Sequence, residues 1–346
     1  MAYTTIDKPT DYFNTKLYTG NNTTDTAITG IGFQPDWVWV KRRSSTQFHG
    51  LVDSVRGATK QLASNSSNAE DTNTESLKSF DSDGFTIGTS PRLNASSETY
   101  VAWNWLAGGT ASSNTDGSIT SSVSANTTAG FSIVSYTGNA TNGATVGHGL
   151  GAVPDMLIGK DLSDASGWGI WHKNLSGATY RLAFTPDAQS NDSALFGGSG
   201  NTLPTSTVFT LGSGGGLNGS NANIVYAFTS IKGFSRFGSY VGNGSSNGSM
   251  IWCDFKPAFF ILKASDAQKG WYMYDNKRDG GFNVNDDSVL ANTNDAEFSS
   301  NIDFLSNGVK IRTSGTGENQ SGTNYIFMAF AENPFVTSTG IPTTAR

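Results

Sequence analysis

A chain of 346 residues holds two or three domains or one large β domain, with ample apolar material for a core. Hydrophobic residues make up 36% and charged residues 14%, and the 8 Trp, 11 Tyr and 21 Phe exclude a disordered chain, which is poor in aromatics. The net charge of −6, with no basic run beyond Lys41-Arg42-Arg43, excludes wholesale nucleic-acid binding, which needs a basic stripe to displace counterions.

Taken from its start, MAYTTIDKPTDYF has no apolar h-region, so no secretory signal peptide is expected. No stretch approaches the ~18 apolar residues of a membrane helix. Glycosylation sequons such as Asn22-Thr23-Thr24 read as by-products of an Asn/Ser/Thr-rich chain. The lone Cys253 excludes an internal disulfide and reads as a small buried hydrophobe.

The first elements then recur. Tyr18-Thr19-Gly20-Asn21 returns as Tyr136-Thr137-Gly138-Asn139 and Tyr240-Val241-Gly242-Asn243, with Phe13, Phe131 and Phe234 a few residues before. Pro35-Asp36-Trp37-Val38-Trp39-Val40-Lys41 returns as Pro154 to Lys160 and as Pro257 to Lys263. Asp53, His172 and Asp275 follow the three lysines at one spacing, and His49, Trp168 and Trp271 stand four residues before them. Ser82-Asp83-Gly84-Phe85 is matched by Ser306-Asn307-Gly308-Val309 and, more weakly, by Val208-Phe209-Thr210-Leu211-Gly212. Each copy closes on Ala-aromatic: Ala102-Trp103, Ala227-Phe228, Ala329-Phe330.

The apolar runs after each proline have strand length and read as buried on both faces. Asp83-Gly84 and Asn307-Gly308 are hairpin turns. Tyr100 to Trp105 alternates as a half-buried strand. No amphipathic helix is found. The fold expected is all-β: three tandem β-sandwich-like modules, lectin-like or jelly-roll-like, of about a hundred residues. Their bounds are 1–107, 129–231 and 232–335, with a Gly/Ser/Thr-rich linker at 108–128 and a tail at 336–346. Part of the linker, around Asn114-Thr115-Asp116-Gly117, can form a hairpin, and the second and third modules are to pack rigidly.

Candidate chemistry is sparse. Glu70, Glu75, Glu98, Glu297, Glu318 and Glu332 are scattered outside any hydrolase motif, so no enzyme is expected. His49, His148 and His172 lack metal-site spacing, and Asp81-Ser82-Asp83-Gly84 begins like a calcium loop but lacks its later ligands, so neither metal nor cofactor is expected. The glycine run at 212–216 has no following Lys-Ser/Thr and reads as a flexible loop.

Two constellations remain. Asp53 with Arg56 recurs as Asp275 with Arg278, either a polar site facing a ligand or an ion pair anchoring a turn. Trp168, Trp171 and His172 occupy the place of Trp271 and Tyr272 in the third copy and of His49 in the first. Aromatic walls with a few placed polar groups suit a glycan; packing in the core is the alternative.

The opening Asp11-Tyr12-Phe13-Asn14-Thr15-Lys16-Leu17-Tyr18-Thr19-Gly20, the run Gly32 to Lys41, Ser82 to Gly88 and Tyr100 to Trp105 together resemble an uncharacterised family of triple-repeat virion structural or tail-fibre proteins of marine tailed phages, cyanophages included. The resemblance implies a place in the virion, assembled in the host cytoplasm. It also implies a host-surface glycan or receptor and other virion proteins as partners, and a trimer; charge and hydropathy, as above, lead to no nucleic-acid binding and no membrane insertion being expected. It brings no catalytic residue. The second copy departs from the pattern, with His172 for the aspartate and Leu175 for the arginine. A ligand-free capsid-decorating or shell protein, and a polysaccharide depolymerase, are the rival expectations.

Overall fold

Each Pro-to-Lys run forms one inner strand of a four-stranded antiparallel arrangement. In the computed structural model, which describes residues 3–343, the first comprises β1 (Phe13–Thr19), β2 (Trp37–Arg42), β3 (Gly50–Asp53) and β4 (Thr99–Trp105). The second comprises β5 (Phe131–Thr137), β6 (Met156–Asp161), β7 (Gly169–His172) and β8 (Ala222–Phe228). The third comprises β9 (Ser235–Val241), β10 (Phe255–Ala264), β11 (Trp271–Asp275) and β12 (Asn324–Pro334). One strand order recurs: β1-β4-β2-β3, β5-β8-β6-β7 and β9-β12-β10-β11. The protein is all-β; the helical elements among the described residues are short turns at Pro9–Asp11, Pro91–Asn94 and Thr316–Asn319.

Pairing register fixes which residues correspond. Trp37 faces Trp105, Met156 faces Phe228 and Phe259 faces Phe330. Trp105, not Trp103, therefore corresponds to Phe228 and Phe330, and the expected match of Ala102-Trp103 with Ala227-Phe228 is two residues out. Likewise Phe13 and Phe131 correspond to Ser235, one residue past Phe234.

Both faces of the apolar runs are buried, and the reason is two cores. On one face Val38, Val40, Tyr100 and Ala102 pack against outer strands Thr26–Thr29, Leu77–Asp81 and Gly84–Ile87, closing a sandwich. On the other face Trp37, Trp39, Trp103 and Trp105 enter a core shared with the second and third sheets. Tyr100 to Trp105 is thus buried on both sides, not half-buried. Trp37 stacks on Tyr226 at 4.3 Å between centroids, Phe13 on Phe330 at 5.1 Å, and Phe228 meets Phe330 at 6.1 Å. Each such pair adds about 0.5–1.5 kcal/mol to the burial of its rings. The three units keep separate sheets but share one interior.

Equivalent contacts close this assembly into a ring. Glu70 N–H donates to the Leu162 carbonyl (2.8 Å), Gln189 N–H to Ser265 (2.7 Å), and Glu297 N–H to Arg43 (2.9 Å). The accepting residues each lie two past the recurrent lysine. The links run from first unit to second, second to third and third to first.

The segment at 108–128 is no spacer. Ser112–Asn114 and Ser121–Asn126 pair with each other, and the latter pairs with β5, widening the second sheet to six strands. Alternation explains this: Ser121 and Val123 point inward while Ser122 faces solvent. The 212–216 glycine run is also partly packed. A Cβ on Gly212 would lie 2.0 Å from the Ser193 carbonyl oxygen, so only glycine allows that close approach.

Candidate functional site

The Asp–Arg constellations are built into the unit interfaces. Asp53 closes the turn after β3 by accepting from the backbone N–H of Val55 and Arg56. Its Oδ2 accepts from Arg56 Nε and, across the shared core, from the Tyr226 hydroxyl at 2.8 Å. Arg56 reaches on to Glu70 Oε2 at 3.2 Å. The third unit repeats the design: Arg278 pairs with Asp275 (2.6 Å) and Glu297 (3.0 Å), and Trp103 Nε1 donates to Asp275 Oδ2 at 3.0 Å. These carboxylates and guanidiniums saturate one another out of solvent, which leaves no polar face for a ligand.

The aromatic candidates are likewise interior. Trp168 Nε1 donates to the Ala63 carbonyl (3.0 Å) and Trp271 Nε1 to the Ala183 carbonyl (2.8 Å), each in the preceding unit. His49, at the equivalent position, accepts from Trp39 at Nδ1 (2.8 Å), and its Nε2 meets the Leu290 carbonyl at 3.0 Å. Trp171 packs in the second unit's own core. Tyr272, half-buried, lies edge-on to Phe298 at 5.9 Å. Burial pushes His49 and His172 down to about 3, so both rings are neutral. The rings of Trp168, Trp171, Trp271, His49 and His172 are covered by the protein itself and offer no glycan face, while Tyr272 stays partly exposed.

The open site lies elsewhere, at the edge of the third sheet. That sheet runs on through Asn285–Leu290, Phe298–Leu305 and Gly308–Ile311 to Met250–Trp252, making eight strands. Its two end strands, β9 and Met250–Trp252, border one groove of ≈ 610 Å³. Trp252 and Met250 stand on its rim, 47% and 42% exposed, with Phe327 in its wall. Lys173, Lys232 and Arg236 line the groove; Lys173 holds Asp155 at 3.0 Å, which leaves Lys232 as the lining cation with no carboxylate partner among the described residues. Arg236 Nη1 holds Asp254 Oδ2 at 2.6 Å, Trp252 Nε1 donates to Asp254 Oδ1, and Lys232 lies 4.4 Å over the Tyr3 ring. Cys253, beneath the rim, is inert: burial pushes its thiol up to about 12.

With this geometry in view, the family can be placed. The chain belongs to the DUF7483 family. The family's description is a domain of unknown function, and the match covers residues 8–334, all three units together, as their shared interior demands. No curated protein and no solved structure matches the chain.

Sequence reasoning missed the groove because its residues break the repeat. Gly238 stands where the other units carry Lys16 and Val134, and Trp252 where they carry Thr29 and Gly147. An exposed tryptophan at a position that is small elsewhere was the available signal. One acidic group, Asp279, Asp286 and Asp287, brings its oxygens within 4.8 Å of one another. Burial and its two neighbours push Asp279 up to about 7, and Arg43 holds Asp287 at 3.0 Å.

Proposed function

We propose that this protein is a non-catalytic component of a tailed-phage particle, of tail-fibre or adhesin type, which docks a macromolecular partner in the groove between β9 and Met250–Trp252. The observation that carries the docking reading is that groove: it sets Phe327, Met250 and an exposed tryptophan, Trp252, beside serines and the cation Lys232. The sequence resemblance supports the virion setting. The non-catalytic reading is supported by Asp53, Glu70, Asp275 and Glu297, carboxylates fully engaged in ion pairs between strands and loops.

Labelled protein is to be titrated onto intact marine bacterial cells, alongside a Trp252→Ala variant and cells oxidised with periodate. Saturable binding that Trp252→Ala weakens supports the reading. Binding unchanged by Trp252→Ala displaces the site from the groove, and no binding by folded protein favours a shell-forming role.

A further inference from the structure

The three units differ in what lies beside the first strand of each sheet, and the difference identifies an occupant for the groove. In the second unit the chain fills that space itself. Ser121–Asn126 adds to the free edge of β5, pairing Ser122 with Ser135 and Ser124 with Ile133. It also reaches the outer strand Thr145–Gly147, through Ser121 Oγ to the Gly147 carbonyl (2.8 Å), with Ile119 N–H donating to Thr145 (2.9 Å). In the first unit side chains close the mouth: Asn14 Nδ2 donates to the Ile31 carbonyl at 2.9 Å, and Lys16 lies against Gly30. In the third unit the corresponding residue is Gly238, and the space is the ≈ 610 Å³ groove.

The backbone of β9 is poised for a strand. The Phe234 carbonyl accepts from Ala331 of β12 and the Gly242 N–H donates to Thr323, just before β12, so residues 234, 236, 238, 240 and 242 turn their polar groups inward. Alternation turns those of 237, 239 and 241 toward the groove. Phe237 N–H is satisfied by Ser230 Oγ (3.2 Å) and the Val241 carbonyl by Ser249 Oγ (2.7 Å). Between them Ser239 presents both its N–H and its C=O. Its equivalent in the second unit is Ser135, which meets the added strand at Ser122.

We propose that the groove is a strand-acceptor site: an extended, acidic segment of a partner protein adds to β9 at Ser239, as the chain's own Ser121–Asn126 adds to β5. Main-chain hydrogen bonds hold the segment, and alternate side chains pack on Phe327 and against Met250 and Trp252. Lys173 already holds Asp155 and Arg236 holds Asp254, so Lys232, with no carboxylate partner among the described residues, is the lining cation that favours an acidic residue in the segment. This rests on the groove being the docking site and adds the chemistry of its occupant.

The probe is a fluorescein-labelled peptide of residues 119–126, Ile-Thr-Ser-Ser-Val-Ser-Ala-Asn, flanked by two glutamates at each end. It is titrated with the full chain by anisotropy. Saturable binding is expected, weakened roughly tenfold by Ser239→Pro, which deletes the N–H facing the groove and spares the ladder to β12. Two N-methylated peptides, blocked at alternate residues, test the same point without altering the protein. One set is expected to abolish binding and the other to leave it; equal binding by both overturns the proposal. No peptide binding up to ~1 mM, with cell binding still dependent on Trp252, overturns the strand and leaves a docking groove for a glycan. Loss of both overturns the docking reading as well.

Discussion

The Tyr226 hydroxyl donates to Asp53 Oδ2 at 2.8 Å, joining the second sheet to the first through two residues with no solvent exposure. Trp103, the residue of the first sheet that corresponds to Tyr226, donates in the same way to Asp275 of the third. The ring of contacts requires a third instance, from the third sheet to His172 of the second. There the corresponding residue is Met328, which has no proton to donate. A carboxylate at that place would be buried without a cross-sheet donor, and the sequence carries His172 instead. The rest of the constellation changes with it: Leu175 replaces the arginine and Gln189 the glutamate. The departure of the second copy thus goes together with Met328 on the neighbouring sheet.

Tyr226→Phe removes that donor while keeping the ring stacked on Trp37. A hydrogen bond to a buried carboxylate contributes about 1.5–3 kcal/mol, and urea unfolding is expected to show a loss of that size. In an Asp53→Asn background the loss is smaller, and the double-mutant cycle returns a coupling of about 1 kcal/mol or more. Additive effects would show that the two groups do not stabilise each other.

His172 gives a pH-dependent counterpart. Burial holds its ring at about 3 in the folded chain, against an ordinary 6.5, and its Nε2 has no hydrogen-bond partner in geometry. Below pH 6.5 the unfolded chain binds a proton that the folded chain refuses, so this histidine makes stability fall as pH drops from about 6.5 toward 3. His172→Leu is expected to reduce that slope by up to about 1.4 kcal/mol per pH unit, at a cost near pH 8 of about 1 kcal/mol, since it removes the acceptor of the Asn174 N–H (3.1 Å to His172 Nδ1). Identical slopes for the two proteins would mean the ring is protonated in the fold.

The sheets themselves were legible in the sequence; the shared interior was not. Strand length and β-branched or aromatic composition mark Trp37 to Val40 and Phe259 to Leu262 as two-sided strands, because local patterning reports burial. It cannot report what buries each face, and the second face of Trp37 is covered by Tyr226, far along the chain. The same limit made Trp168 and Trp271 look like ligand platforms: a tryptophan whose indole N–H meets a carbonyl of the neighbouring unit has no local sign of it. The hairpin around Asn114 to Gly117 was legible, but its addition to β5 was not, because serine and threonine serve equally in spacers and on the solvent face of a strand. One signal was available and unread. Asn94, Asn218 and Asn319 recur just before the last strand of each unit, and each accepts from the backbone of the Asn in the Tyr-x-Gly-Asn motif (Asn21, Asn139, Asn243) at 2.8–3.0 Å.

The shared interior sets the cooperative unit. A fragment of residues 1–107 would expose Phe13, Trp37, Trp39, Trp103 and Trp105 on one face of its sheet. Each forfeits about 1.5–3 kcal/mol of burial, more than a small domain holds in reserve, and the bare patch invites aggregation. The fragment is expected to be unfolded or aggregated, and the whole chain to melt in one transition by calorimetry. A soluble fragment with the near-ultraviolet circular dichroism of packed tryptophans would show that the unit folds without its neighbours.

Lys41, Lys160 and Lys263 end the three Pro-to-Lys runs, and all are buried with Nζ on backbone carbonyls. Lys160 donates to Asp161 and Asp164, Lys263 to Ala264, Ala267 and Pro186, and Lys41 to Arg42 and Asn294. Burial pushes each down to about 8 from an ordinary 10.5. Near pH 7 all three are ammoniums satisfied by carbonyls. Between about 8 and 10.5 the unfolded chain holds protons the folded chain has released, so stability rises with pH in that window. Above 10 the sign reverses, because burial keeps the hydroxyls of Tyr18, Tyr226, Tyr240 and Tyr274 protonated in the fold while unfolded tyrosines ionise. The urea midpoint is therefore expected to climb from pH 8 to a maximum before 10 and then fall. Lys263→Met lowers the midpoint at pH 7, where it strands three carbonyls, and flattens the climb by about a third. A midpoint that stays level or falls between pH 8 and 10 would mean the carbonyl cages hold the ammoniums protonated against burial.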